Sequence, residues 1–260
     1  MGRILTVKEG HLGWLIFDNP QKRNAINYQM WQRIPEALEE LNNDEDIRVI
    51  IIRGAGEKAF TAGADISEFK TLRNSSKTSD GYNKVTKAAY QGIKYSPKPV
   101  VAMIQGFCIG GGLGIALQSD LRISSDEAIF GIPAVKRGIA YGYDGISDLV
   151  DIVGPSIAKE IFFTGRNYEA SLALKMGLIH HMVEKEALED FVRDYCLEIA
   201  SNAPLSIRSI KFAINEYLKD PQERDMAKIE KEMARCFDSW DYQEGSRAFL
   251  EKRNPRFLGK

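Results

Sequence analysis

The chain has 260 residues, 44% of them hydrophobic and 27% charged, enough to bury a substantial core in one large domain or one domain with a helical extension. Its 35 basic and 36 acidic residues leave a net charge of −1, so no basic field advertises nucleic acid. No apolar run approaches about 20 residues, so no membrane span is expected, and the start, MGRILTVKEG, has no signal-peptide core. A cytoplasmic location is the expectation.

Taken in chain order, Ile4 to Val7 and Gly13 to Phe17 read as two strands of a hairpin around Glu9-Gly10-His11, with His11 solvated. The polar loop from Asn19 to Ala25 leads into an amphipathic helix over about Asn27 to Leu41, where Met30, Ile34, Leu38 and Leu41 recur at helical spacing. Val49 to Arg53 is a near-continuous apolar strand of the kind buried between layers. It is followed by a loop of small residues, Ala62-Gly63-Ala64-Asp65, that can offer a backbone N–H, with Glu68 an exposed acid nearby. Lys70 to Tyr82 is rich in Ser, Thr, Asn and Lys and reads as a surface loop or a lid. A helix over roughly Gly81 to Tyr95 follows.

The most informative stretch runs from Lys98 to Phe130. It predicts a buried strand (Pro99 to Ile104), a turn at Gln105-Gly106, three glycines (Gly110, Gly111, Gly112), a short apolar helix (Leu113 to Gln118) and a strand from Asp120 to Ser124. Consecutive glycines before a helix let a ligand approach the backbone and leave the first helical N–H groups pointing outward. That suits an anion, or an oxygen that becomes anionic during a reaction. A packing turn fits the run equally well. No Gly-Lys-Ser/Thr follows, and the glycine spacing does not match the dinucleotide fingerprint.

Further on, Gly138 to Gly145 forms a turn into a helix expected to begin near Gly145, and it supplies one carboxylate and two phenols. Asp144 is a candidate base, nucleophile or electrostatic group, or the cap of that helix. Tyr141 could donate a hydrogen bond or a proton, or simply line the pocket. Lys136 and Arg137 could hold a substrate carboxylate, or face solvent. From Pro155 onward the pattern is helical: Ile157 to Phe163, Glu169 to Met176, Leu188 to Ala200, Pro204 to Leu218, Glu223 to Cys236 and Asp241 to Lys252. His180 and His181 are adjacent and point to opposite sides of a strand, so no metal site is expected. Cys108, Cys196 and Cys236 are far apart, without metal-ligand spacing, and read as structural residues.

Five stretches in order, FDNPQKRNAIN, AFTAGADI, PVVAMIQGFCIGGG, IAKEIFFTGRNYEASLALKMGLIHHMV and AFLEKRNPRF, resemble the crotonase family of enoyl-CoA hydratases and isomerases across essentially the whole chain. The resemblance implies an α/β fold, a crotonase-like spiral of ββα repeats over residues 1–200 with a helical C-terminal trimerisation region over 201–260. It implies an acyl-CoA substrate, coenzyme A being part of that substrate rather than a separate cofactor, and assembly as a homotrimer or hexamer. Carried over by position, the thioester oxygen accepts N–H bonds from Ala64 and Gly111. Lys22 and Arg23 contact the CoA phosphates, and Ala25, Ala62, Asp65 and Ile66 line the CoA. Phe249 and Lys252 touch the CoA of a neighbouring subunit, or serve packing and solvation alone.

The chain departs from the family at its two hydratase glutamates. Those positions hold Gly114 and Ala134, and neither can move a proton. The backbone donors survive such changes, so the expected function is an acyl-CoA enzyme with an unusual acid/base set around Asp144 and Tyr141. The alternatives are a decarboxylase and a catalytically silent acyl-CoA binder. Gly138 to Tyr141 is similar to a G-x-x-Y turn of methylmalonyl-CoA decarboxylases, although those often carry a histidine where this chain has Ala64.

Overall fold

The computed structural model describes residues 2–69 and 76–260. The N-terminal hairpin consists of β1 (Arg3–Glu9) and β2 (Leu12–Asp18), and the helix α1 (Tyr28–Asn43) packs against it. Asn27 caps α1, its side chain accepting the Met30 N–H, which satisfies one of the donors a helix start leaves open.

Three ββα turns then follow. β3 (Val49–Gly54) and β4 (Ala59–Thr61) lead to α2 (Ser76–Lys94); β5 (Val100–Ile104) and β6 (Phe107–Ile109) lead to α3 (Gly111–Gln118); β7 (Leu121–Ser125) and β8 (Ile129–Gly131) lead to α4 (Tyr143–Thr164). The first strand of each turn joins a six-stranded sheet in the order β1-β2-β3-β5-β7-β10, where β10 is His181–Val183. The second joins a four-stranded sheet, β4-β6-β8-β9, where β9 is Tyr168–Glu169. Both sheets are parallel apart from the β1/β2 and β8/β9 pairs.

The apolar run in β3 is explained by burial on both faces. Ile50 and Ile52 enter the core shared with α1 and the second sheet, while Val49 and Ile51 enter a second core closed by Val192, Cys196 and Ala200 of α6 (Leu188–Ser201). All four are fully buried, and each contributes about 1.5–3 kcal/mol by leaving water. The short α5 (Ala170–Lys175) precedes β10, and the chain ends in α7 (Pro204–Tyr217), α8 (Met226–Phe237) and α9 (Trp240–Leu250). This end is tied back to the core by the Arg48 guanidinium, which donates to the carbonyls of Ala200 and Phe257.

Several boundaries differ from the sequence expectation. β6 lies between the Gln105-Gly106 turn and the glycines, where no strand was expected. α2 begins at Ser76 rather than Gly81, so the part of the expected lid from Ser76 to Tyr82 is helix; positions 70–75 of that stretch lie outside the described residues. α4 begins at Tyr143, its N-cap is Gly142, and Asp144 sits within its first turn instead of capping it. Glu68 is half-buried rather than exposed, its carboxylate accepting the Tyr28 N–H at 2.8 Å.

Candidate active site

The glycine run and the Ala62–Asp65 loop meet at the floor of a cavity of about 720 Å³. Gly63 makes the approach possible: its φ is +90°, and a methyl group there would stand 2.6 Å from the Ile109 carbonyl and 3.0 Å from the Gly111 nitrogen. On either side of Ala64, the Gly63 carbonyl accepts from Ile26 N–H and the Asp65 N–H donates to Ile26 carbonyl, a parallel bridge. Such a bridge leaves the middle residue's own N–H facing the opposite way. A methyl group on Gly111 would lie 3.5 Å from the Ala64 nitrogen, so the two peptide groups are neighbours. Gly111 is the first residue of α3, whose opening N–H groups have no intrahelical acceptor and carry the positive end of the helix dipole.

The loop that carries Lys22 and Arg23 is pinned from inside. Asn24 is 1% exposed; its amide donates to the carbonyls of Ala55 and Ala59, and its oxygen accepts Asn19 N–H. Ala25 is buried behind it, and the Ala62 N–H donates to the Arg23 carbonyl, which stitches this loop to the Ala62–Asp65 loop. The Lys22 ammonium lies 2.6 Å from the Asp65 carboxylate. Burial raises the Asp65 pKa, but the bonds from Lys22 and Ser67 outweigh it and hold the carboxyl below its usual range. The Arg23 guanidinium stacks over the Phe107 ring, 4.6 Å from its centroid.

Ala62, Ala64, Ile66, Gly111, Tyr141 and Asp144 all line the cavity. Lys22, Arg23, Ala25 and Asp65 do not line it; Lys22 and Arg23 are exposed, while Ala25 and Asp65 are buried. Phe249, 83% exposed, lines a separate cavity of about 670 Å³ among the C-terminal helices, and Lys252 is exposed; neither joins the first cavity. At the rim, Asp144 of α4 pairs with Lys87 of α2 at 2.8 Å, and this carboxylate raises the lysine pKa. Further along the same two helices, Asp148 accepts from Lys94, and it also accepts from Gln118 at the end of α3. Lys136 and Arg137 are exposed, Arg137 on the cavity wall.

The space beside Gly114 is filled from elsewhere. A methyl group at 114 would lie 2.6 Å from the Tyr90 hydroxyl and 3.5 Å from the Tyr141 hydroxyl. Tyr90 comes from α2, and its hydroxyl donates to the Gly111 carbonyl at 3.3 Å. Its ring meets Trp31 edge-on, with centroids 5.6 Å apart. Tyr141 is wedged between Phe162, 5.1 Å away, and the first turn of α4 at Gly145. Nothing in the sequence marks Tyr90, whose position on an amphipathic helix gives no sign that it ends beside a glycine on α3. Ala134 also lines the cavity, buried at 9% exposure, with no polar side chain.

Away from the cavity, burial pushes the Cys108 thiol far up and the Cys196 thiol up to about 12, as befits inert core residues. Among the described residues no cluster of His, Cys, Asp and Glu is placed to hold a metal, and no helix is long and apolar enough to cross a membrane.

The spiral of ββα turns that brings a glycine helix start against a second backbone loop is the α/β arrangement that the crotonase resemblance implies, and comparison with known proteins agrees with it. Residues 8–260 match the family model described as enoyl-CoA hydratase/isomerase. The short-chain-enoyl-CoA hydratase of Clostridium acetobutylicum is 34% identical over 97% of this chain and 96% of that protein. The methylmalonyl-CoA decarboxylase of Escherichia coli is 35% identical over 94% and 93%. The crystal structure of an enoyl-CoA hydratase/carnithine racemase from Magnetospirillum magneticum superposes with a TM-score of 0.95 at 36% identity, covering 100% of this chain and 97% of that one. The chain belongs to the enoyl-CoA hydratase/isomerase family.

Proposed function

We propose that this chain holds the carbonyl oxygen of an acyl-CoA thioester between the N–H groups of Ala64 and Gly111 and works through the thioester enolate. The observation that carries this reading is the contact of those two peptide groups at a helix start on the cavity floor. Donors placed there meet the charge that develops on the oxygen, and each is worth about 2.7–4 kcal/mol in comparable sites. The acyl group then lies against Tyr141, whose hydroxyl can hydrogen-bond to it. Asp144 acts from the rim as an electrostatic group, its charge shared with Lys87.

The loop carrying Lys22, Arg23 and Ala25, with Ala62, Asp65 and Ile66, cradles the CoA; coenzyme A enters as part of the substrate. The asparagine pin and the Lys22–Asp65 pair give that loop a fixed shape before ligand arrives. Exposed Ile210, Ile214 and Tyr217 on α7, with Phe249 and Leu250 on α9, leave the C-terminal region with apolar surface that assembly would cover. This supports residues 201–260 as the contact region of a homotrimer or hexamer in which Phe249 and Lys252 reach a neighbour's CoA. We place the enzyme in the cytoplasm.

A second reading, decarboxylation of a malonyl-type thioester, is favoured by the missing acids at 114 and 134 together with Tyr141. Losing CO₂ from a carboxylate held out of the thioester plane requires enolate stabilisation but no general base. Incubation with crotonyl-CoA, a longer enoyl-CoA and methylmalonyl-CoA, followed by mass spectrometry, separates the readings. Hydrated product supports the first and CO₂ loss the second, while tight binding without product or α-proton exchange would make the chain a silent binder and refute both.

A further inference from the structure

The acid missing from position 114 has a structural counterpart on another helix, and we infer that Tyr90 is a catalytic residue, the group that passes a proton to and from the substrate carbon next to the thioester carbonyl. This rests on the enolate reading above. A side chain at residue 114 would begin at a Cβ, and the phenol of Tyr90 already holds that space, its oxygen 2.6 Å and its Cζ 3.1 Å from the point. No side chain fits at 114 unless Tyr90 moves. The glycine and the tyrosine are therefore a matched pair: shortening residue 114 lets a phenol from α2 reach the same spot.

The position of the hydroxyl relative to the oxyanion donors gives it a task. It bonds to the carbonyl of Gly111, the residue whose N–H is proposed to hold the substrate oxygen. The Gly111 carbonyl lies in the peptide group after the one that carries the Gly111 N–H, so a phenol bonded to it stands one peptide away from the proposed oxygen-binding position. The bond is long at 3.3 Å, hence weak and readily given up to a substrate. The edge-on contact with Trp31, itself 1% exposed, holds the ring in place on the wall of the cavity that Tyr90 lines.

The step balances. The enolate's electron pair forms a C–H bond with the phenolic proton, the O–H bond breaks, and the negative charge passes to the Tyr90 oxygen, which water reprotonates. In reverse, the phenolate takes an α-proton while Ala64 and Gly111 hold the oxygen of the enolate that forms. Tyr141, whose hydroxyl is farther from the same point and whose ring is wedged against α4, is left to orient the acyl group.

The test follows α-proton exchange of butyryl-CoA in D₂O by mass spectrometry, with thioester affinity measured by calorimetry. Tyr90→Phe keeps the ring and its Trp31 contact. It is expected to slow exchange by about a hundredfold or more, the usual contribution of one proton-transfer group, with affinity within about threefold. The pH profile of exchange should change shape in Tyr90→Phe, which a purely structural role would not do, whereas Tyr141→Phe, which alters acyl binding, should keep the shape of the profile at whatever rate it retains. Exchange in Tyr90→Phe at the original rate, or a profile reshaped only in Tyr141→Phe, overturns the inference while leaving the enolate reading intact. Butyryl-CoA bound by the unsubstituted protein with no exchange at any pH overturns both.

Discussion

Replacing Gly63 by alanine tests whether the two donor loops touch as closely as described. The residue has φ +90°, and the new methyl would meet the Ile109 carbonyl at 2.6 Å and the Gly111 nitrogen at 3.0 Å, both backbone atoms that cannot rotate away. A non-glycine residue in left-handed conformation costs about 1–2 kcal/mol, and the overpacking adds about 1–3 kcal/mol. Gly177→Ala is the internal comparison, since Gly177 has φ +73° with nothing within 4 Å of an added methyl. Both variants bear the conformational cost, and only Gly63→Ala bears the contact. At roughly 2–4 °C per kcal/mol for a chain of this size, a contact of about 2 kcal/mol should place the Gly63→Ala melt about 4–8 °C below that of Gly177→Ala. Relief of the clash also pushes the Ala64 and Gly111 peptides apart, so thioester turnover should fall in Gly63→Ala and hold in Gly177→Ala. Differential scanning calorimetry and a product assay read both. Coincident melts with equal turnover would mean that the loops are not in contact, and the proposed oxyanion site would go with them.

Other groups offer independent checks. The His180 Nδ1 accepts the Arg122 N–H at 3.1 Å, and burial together with the Arg122 charge lowers the His180 pKa. A lowered histidine pKa favours folding above the unfolded value of about 6.5, and that contribution is lost as pH falls below it until the folded value is reached. His180→Asn should therefore show a smaller drop in Tm between about pH 7.5 and about pH 5.5 than the unsubstituted protein; an equal drop would assign the acid sensitivity to other groups. Lys211 of α7 donates to Asp120 at 2.6 Å and to the Lys98 carbonyl at 3.0 Å, bracing the C-terminal helices against the start of β7. Breaking a fully buried pair costs about 3–5 kcal/mol. The Asp120 side chain keeps 31% exposure, so Lys211→Met should cost about 1–3 kcal/mol in urea unfolding. A cost below about 0.5 kcal/mol would show that the brace contributes little.

The strands β1, β2, β3, β5 and β7 of the six-stranded sheet are legible in the sequence, most plainly β3 and β5, which are apolar on both faces and sit among glycine and polar breaks. The glycine helix start and the Ala64 loop are legible too: backbone geometry that needs glycine leaves its mark on composition. The second sheet was less visible. β6 and β8 have three residues each, too few for a period to register, and β6 follows its turn directly. Asn24 looked like one polar residue in a polar loop, although it is the buried pin of that loop. Tyr90 was hidden because its partner, Gly114, announces only a missing side chain; what enters the gap is decided by the packing of α2 against α3. Asp144 drew attention as a lone carboxylate in a turn, and its pairing with Lys87 depends on two helices whose approach no local pattern records.

The proposed oxygen-binding groups belong to the main chain, and this has a consequence for how the protein can change. A site made of peptide groups is inherited whole by every variant that still folds, so side chains around it can be exchanged one at a time without passing through a form that cannot hold its ligand. Gly114 and Ala134 put no polar side chain beside that site, so a new reaction there needs only a neighbour, such as a phenol on the adjoining helix, already within reach.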